Sequence, residues 1–85
     1  MRNNERTRIK ATLLSFLAVE MKKYRTNHRL SQEALARKMR VSLSTYIGLE
    51  HGDSLPSTMT LLTFMGLMET EEITEFLQIT KEVMR

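Results

Sequence analysis

The apolar positions of this chain recur every three or four residues, a spacing that predicts amphipathic α-helices. Between Leu30 and Gly52 the spacing defines two short helices, separated by a turn of about four residues. The expected inward positions are Leu35, Ala36 and Met39 on the first helix and Thr45, Tyr46 and Leu49 on the second. Ser31 and Ser42 are predicted to cap these helices, Val41 to fill the corner between them, and Gly52 to end the second.

Three further helices are predicted around this pair. A long first helix runs from about Glu5 to Tyr24, and a fourth begins near Pro56 with Leu61, Leu62, Met65 and Met68 on one side. A fifth is predicted after a Thr70 cap, with an apolar stripe of Ile73, Phe76, Leu77, Val83 and Met84. No stretch alternates as a strand would, so we expect an all-α fold in one domain, residues 1–85. Its parts are a core at about 31–51, an amino-terminal extension at about 1–15 and a carboxyl-terminal helix at about 71–84.

The segment from Leu30 to Pro56 resembles the lambda-repressor and Cro type of helix-turn-helix family, also called XRE-like. Fourteen residues match the family pattern in register: Leu30, Ser31, Gln32, Glu33, Leu35, Ala36, Val41, Ser42, Ser44, Thr45, Leu49, Glu50, Gly52 and Pro56. Leu17, Met21, Tyr24 and Arg25 fit the family's first helix, and Thr60, Leu61, Leu62, Phe64 and Met68 fit its fourth. The resemblance implies a compact five-helix fold that binds double-stranded DNA.

The resemblance also assigns roles to individual residues. Gln32 is expected to contact the DNA backbone at the amino-terminal end of the second helix, where free N–H groups attract phosphate. Arg25 and Glu50 match a partly buried, structural ion pair. The remaining expected DNA contacts are Arg40, Ser42, Leu43, Ser44, Thr45, Ile47, Gly48 and His51, with Thr45 turned partly toward the core. Ser54 and Ser57 are further candidate phosphate donors, for which ordinary loop polarity is an equal explanation.

The recognition helix and the turn before it both depart from the family pattern. The recognition helix carries no Arg, Gln, Asn or Lys, the residues that form bidentate pairs with bases, so we expect sparse direct readout and more dependence on DNA shape. Leu43 and Ile47 can contact thymine methyl groups, or, alternatively, anchor an apolar patch that binds a partner protein. Arg40 stands where relatives often have Gly, so we expect a left-handed backbone and strain of about 1 kcal/mol there.

Charge is distributed unevenly along the chain. Residues 1–40 contain eleven Lys or Arg and three acidic residues, whereas residues 41–85 contain two and seven. The basic half suits phosphate binding, although a solvated helix face explains part of it. The sequence has no Cys, and the longest apolar run is too short to span a bilayer and lacks a signal-peptide cleavage pattern, so we expect a cytoplasmic protein.

Together these features predict a sequence-specific transcriptional regulator, either a repressor or an antitoxin-type autoregulator. Neither His28 nor His51 lies in a catalytic or metal-binding motif, so we expect no enzymatic activity, metal or cofactor. A homodimer is expected, because two-fold DNA sites need two reading heads about 34 Å apart and family members usually dimerise through their carboxyl-terminal region. A protein partner such as a toxin, and reuse of the fold as a protein-binding module, remain open at this point.

Overall fold

The computed structural model describes residues 3–85, which fold into five α-helices. These are α1 (Asn3–Asn27), α2 (Gln32–Met39), α3 (Leu43–Glu50), α4 (Thr58–Leu67) and α5 (Thr70–Val83). The predicted all-α architecture is confirmed. No helix within residues 3–85 is both long and apolar enough to cross a membrane.

The predicted caps of the central pair are confirmed. The Ser31 Oγ accepts a hydrogen bond from the Ala34 N–H at 3.0 Å, and the Ser42 Oγ accepts one from the Thr45 N–H at 3.1 Å. Each bond satisfies one of the N–H groups that a helix start leaves free. Gly52 ends the α3 region with φ +77°, a left-handed conformation that glycine adopts without steric cost.

The core forms where α1 crosses the other helices. Its buried side chains are Phe16, Leu17, Met21, Tyr24, Leu35, Ala36, Met39, Tyr46, Leu49, Phe64 and Phe76. Phe64 joins three helices, because its ring meets Tyr24 of α1 at 5.6 Å and Phe76 of α5 at 6.2 Å, both edge to face. Phe16 stacks on Phe76 at 5.5 Å and extends this aromatic chain. The cluster fixes α4 and α5 against α1, which in turn supports the α2–α3 pair.

Four predicted inward positions are wrong. Thr45 is exposed. Its Oγ1 accepts a hydrogen bond from the Ser42 hydroxyl at 2.9 Å, so its side chain is turned toward the start of α3 and not toward the core. Leu62 and Leu77 are also exposed. Phe64, two residues and about 200° around α4 from Leu62, occupies the inward side, and Phe76 does so on α5. Exposure of Met84 likewise removes it from the predicted stripe.

Two predicted helix boundaries also need correction. Within the described residues α1 begins at Asn3 and continues to Asn27, where the left-handed backbone of Arg29, with φ +56°, prevents further helix. Residue Glu69, rather than Thr70, is the cap of α5, and its N–H donates to the Glu72 Oε1 at 3.0 Å. The reciprocal arrangement of two carboxylates at a helix start is a capping box.

Candidate nucleic-acid interface

The amino-terminal ends of α2 and α3 have the same local structure. Each begins with the sequence arginine, aliphatic residue, serine: Arg29-Leu30-Ser31 before α2 and Arg40-Val41-Ser42 before α3. The backbone of both arginines is left-handed, with φ +56° for Arg29 and +62° for Arg40. Both aliphatic side chains pack against the core, and each serine caps the helix that follows it. The left-handed backbone predicted for Arg40 is confirmed by this φ value, and Arg29 shares it. The chain therefore builds the start of each helix of the pair in one way.

Two of the four arginines between residues 25 and 40 form ion pairs within the described residues, and two do not. Arg25 binds Glu50, and Arg37 lies 3.3 Å from Glu33 on the outside of α2. Arg29 and Arg40 are exposed and form no ion pair with any residue of the described range 3–85. Their guanidinium groups are therefore available to an external anion at the two helix starts.

The outward face of α3 is open to solvent. Leu43, Ser44 and Thr45 are exposed, while Ile47 is half-buried. The Thr45 Oγ1 accepts the Ser42 proton, which leaves the Thr45 hydroxyl proton for an acceptor outside the protein. Leu43 is the one large apolar side chain of α3 that is exposed, at 41 %. A single exposed leucine is ordinary for a protein surface and too little for an apolar protein-binding patch.

Gly48 and the loop after α3 face each other. Gly48 is half-buried, and a Cβ at this position would lie 3.4 Å from the Ser54 Oγ. Its carbonyl accepts a hydrogen bond from the Asp53 N–H at 2.8 Å. The structure therefore places Gly48 against its own loop, whereas His51 is exposed at the end of α3. The Ser57 hydroxyl caps α4 and donates to the Thr60 Oγ1 at 3.0 Å, so its proton is already engaged within the protein.

A buried ion pair ties the end of α3 to α1. The Arg25 Nε and Nη2 donate to the two carboxylate oxygens of Glu50 at 3.0 and 2.7 Å, and the Arg25 Nη1 donates to the Leu30 carbonyl at 3.2 Å. Burial alone would raise the pKa of Glu50, but the hydrogen bonds from Arg25, with smaller contributions from Tyr46 and Gln32, hold it below its ordinary value. Half-buried Gln32 thus lies beside the pair as well as at the start of α2.

The Tyr46 hydroxyl lies near Glu50 but is not in good hydrogen-bonding geometry with it. It is fully buried and makes no hydrogen bond of standard geometry with any residue from 3 to 85. Burial, followed by the proximity of the Glu50 carboxylate as a hydrogen-bond acceptor and as a negative charge, raises the pKa of Tyr46. The hydroxyl therefore stays neutral, and the cluster acts as an architectural brace that aligns the carboxyl end of α3 with α1 and the start of α2.

Sequence reasoning missed Arg29 as a candidate contact. Its signal was present in the sequence as the repetition of arginine, aliphatic residue and serine eleven positions apart, at 29–31 and again at 40–42. Among residues 3–85, no three His, Asp or Glu side chains come together as metal ligands. The surface around the starts of α2 and α3 is polar and cationic.

This geometry agrees with the comparison against protein families. A family model described as helix-turn-helix matches residues 21–69, from the last third of α1 to the residue that precedes α5. The chain belongs to the Cro/C1-type, or XRE-like, helix-turn-helix family. Proteins of this family are DNA-binding transcription regulators, so family membership indicates DNA binding by the present domain. No curated protein and no solved structure matched the chain.

Proposed function

We propose that this helix-turn-helix protein is a cytoplasmic, sequence-specific transcriptional regulator, acting as a repressor or as an antitoxin-type autoregulator. In this proposal α3 enters the major groove of DNA while the start of α2 binds the adjacent phosphate backbone. The residues that we assign to the contact are Gln32, Arg40, Ser42, Leu43, Ser44, Thr45, Ile47 and His51, with Arg29 added from its position beside α2. Gly48 is not included, because it is half-buried against the loop at Ser54.

One observation supports the proposal most strongly. The starts of α2 and α3 carry Arg29 and Arg40, two exposed guanidinium groups that no described carboxylate neutralises. Neutralising phosphate with such cations releases counterions, which supplies much of the free energy of DNA binding and makes it depend on salt. The left-handed backbone of both arginines costs about 1–2 kcal/mol each, and a phosphate contact would offset this cost.

The recognition face predicts the character of the sequence readout. Ser44 and Thr45 supply hydroxyl groups that bond one base edge or one phosphate each, and Leu43 supplies an apolar contact for a thymine methyl group. No side chain on this face can form a bidentate pair with guanine or adenine. We therefore expect modest discrimination at each contacted base pair and a larger contribution from the shape and deformability of the site.

The proposal includes a homodimer, because one copy of α3 covers only one half-site of a two-fold DNA sequence. Part of the apolar surface of α1 and α5 packs within the monomer, where Phe16 stacks on Phe76. At the carboxyl end of α5, Met84 remains exposed beside Ile9 and Thr12 of α1, in a shallow pocket lined by all three. This end of the molecule is available for pairing. If the protein is an antitoxin-type autoregulator, the proposal also includes a toxin as its protein partner; if it is a repressor, it does not.

The test is a titration of the full chain against DNA. Duplexes selected from a random pool and an unselected duplex of the same length are titrated by fluorescence anisotropy at 50 and 200 mM salt, two concentrations within the range where phosphate contacts are screened. We expect the selected duplex to bind more tightly and the affinity to fall steeply with salt. Arg40→Ala should weaken both duplexes to a similar extent and reduce the salt slope by about 1, as the loss of one phosphate contact requires.

Lys81→Ala is the matched control, since Lys81 is an exposed cation of α5 that lies outside the proposed interface. Lys81→Ala removes one positive charge, as Arg40→Ala does, and should change the affinity for either duplex by no more than twofold. Binding that does not depend on salt, or an equal loss in the Arg40 and Lys81 variants, would show that the α2–α3 surface does not contact DNA.

A further inference from the structure

An apolar groove lies on the side of the molecule formed by α1, α4 and α5. The groove has a volume of about 320 Å³. It is lined by Leu13, Phe16, Leu17, Leu55, Pro56, Leu61, Met65, Phe76, Leu77 and Thr80. No residue of α2 or α3 contributes to it. The groove is therefore separate from the proposed DNA interface, and both can be occupied together.

Large apolar side chains of α4 and α5 are also exposed. Leu62 is 60 % exposed and Met59 79 % exposed on the outer side of α4, and Leu77 is 45 % exposed on α5. From Ser54 to Met68 the chain has no charged residue at all. Leu62 lies about 60° around α4 from Met65, which lines the groove, so a small ligand in the groove would leave Leu62 in water and the surface fits a partner that is larger than the groove itself.

Cations border the groove without neighbouring carboxylates. Arg6 and Lys10 line an adjoining pocket, which shares Leu13 and Leu55 with the groove. Lys81 lies one helical turn beyond Leu77 on α5. None of the three cations forms an ion pair with a residue of the described range, and no acidic residue lines either pocket. An occupant that brings carboxylates to this border would therefore be favoured over a neutral or basic one.

The charges argue against a second copy of the same chain as this occupant. A two-fold contact at the groove would bring Arg6 and Lys10 of both copies to one interface. Three of the four carboxylates of α5 already form ion pairs within the chain: Glu72 lies 2.7 Å from the His28 Nε2, Glu75 lies 3.2 Å from the Lys23 Nζ and Glu82 lies 3.5 Å from the Arg85 Nη1. The uncharged stretch from Ser54 to Met68 supplies none.

We propose that this groove binds an acidic amphipathic helix of another protein. Apolar side chains at positions i, i+3 or i+4, and i+7 of that helix fill the groove over Phe16 and Phe76, which are recessed and nearly buried. Carboxylates along the edge of the helix meet Arg6, Lys10 and Lys81. A flat anionic bilayer fits less well, since it cannot reach the recessed rings.

Selection from a phage-displayed library of random 16-residue peptides tests the proposal with the full chain as the target. The enriched peptides should combine apolar residues at helical spacing with two or more carboxylates. A synthetic consensus peptide should then bind with a Kd that rises at least tenfold in Leu77→Glu, in the double variant Arg6→Glu and Lys10→Glu, and when its own Glu residues are changed to Gln. The matched control is Val19→Glu, because Val19 is an exposed apolar residue of α1 that lines no part of the groove.

The remaining outcomes overturn the proposal. They are a selection that enriches no Leu77-dependent peptide, enriched peptides without carboxylates, and a self-association by sedimentation equilibrium that Leu77→Glu abolishes. Flotation with phosphatidylglycerol vesicles that depends on Leu77 would also overturn it, in favour of a membrane. Circular dichroism verifies that each variant is folded. The consensus peptide should not displace a bound DNA duplex, so a failure here leaves the proposed DNA binding untouched, and the reverse holds as well.

Discussion

Replacing Arg25 with Met would break the buried ion pair while keeping most of the side-chain volume. Arg25 supplies two hydrogen bonds to Glu50, at 3.0 and 2.7 Å, and a third to the Leu30 carbonyl at 3.2 Å. The side chain of Glu50 is 5 % exposed and that of Arg25 is 20 % exposed. Arg25→Met therefore leaves a carboxylate in the protein interior with no cation beside it.

The expected cost follows from this burial. Removing one partner of a buried ion pair destabilises a protein by about 3–5 kcal/mol, and the partial exposure of Arg25 places the present case near the lower value. For a chain of 85 residues, stabilities of about 0.05–0.15 kcal/mol per residue give a total of about 4–13 kcal/mol. Arg25→Met should therefore remove about 3 kcal/mol, a quarter or more of the free energy of unfolding.

Urea denaturation followed by circular dichroism measures this loss directly. The matched control is Arg37→Met, which breaks an exposed pair with Glu33 on α2 and should cost less than about 0.5 kcal/mol. The double variant Arg25→Met with Glu50→Leu removes both charges and should recover most of the loss. A cost below 1 kcal/mol for Arg25→Met, or no recovery in the double variant, would refute the claim that Glu50 is held by its partner.

Three further predictions concern stability and binding. Tyr46→Phe removes a buried hydroxyl that makes no hydrogen bond of standard geometry within the described residues but still favours the charged form of Glu50, so urea denaturation should show a loss below about 1 kcal/mol, whereas a loss of about 2 kcal/mol would reveal a full hydrogen bond. Because the folded pKa of Glu50 lies below its unfolded value of about 4.3, its stabilisation should be complete above that pH and disappear as the pH falls through the folded pKa; Glu50→Gln should flatten this acid limb of the stability curve. Arg40→Gly relieves a left-handed backbone and should stabilise the fold by about 0.5–1 kcal/mol while weakening DNA binding, and a destabilised variant would contradict the strain.

The sequence predicts the α2–α3 pair well because its signals are local. A capping serine, a left-handed position before the next helix and a terminal glycine act within four residues of the boundary that they set. Ser31, Ser42 and Gly52 accordingly appear in the predicted roles. The number of helices follows in the same way from apolar spacing and the absence of alternating segments.

Tertiary packing decides what the sequence could not predict. Leu62 and Leu77 lie on apolar helices, and spacing alone does not show which side of such a helix faces the core when both sides carry large apolar residues. The position of Phe64 between Tyr24 and Phe76 selects that side and leaves Leu62 exposed. The same packing creates the groove, since it depends on how α1, α4 and α5 meet.

The prediction of the binding surface was incomplete for a different reason. The family pattern often has glycine at position 40, which predicted a left-handed backbone for Arg40. No such glycine is expected at position 29, so the same conformation was not predicted for Arg29. Both arginines have a left-handed backbone, and neither forms an ion pair with a residue of the described range 3–85. The proposal of a phosphate contact therefore applies to both. If a phosphate contact offsets the strain at Arg40, then Arg29→Ala should lower DNA affinity and the salt slope as much as Arg40→Ala does. Unequal effects would mean that only one of the two helix starts reaches the DNA backbone.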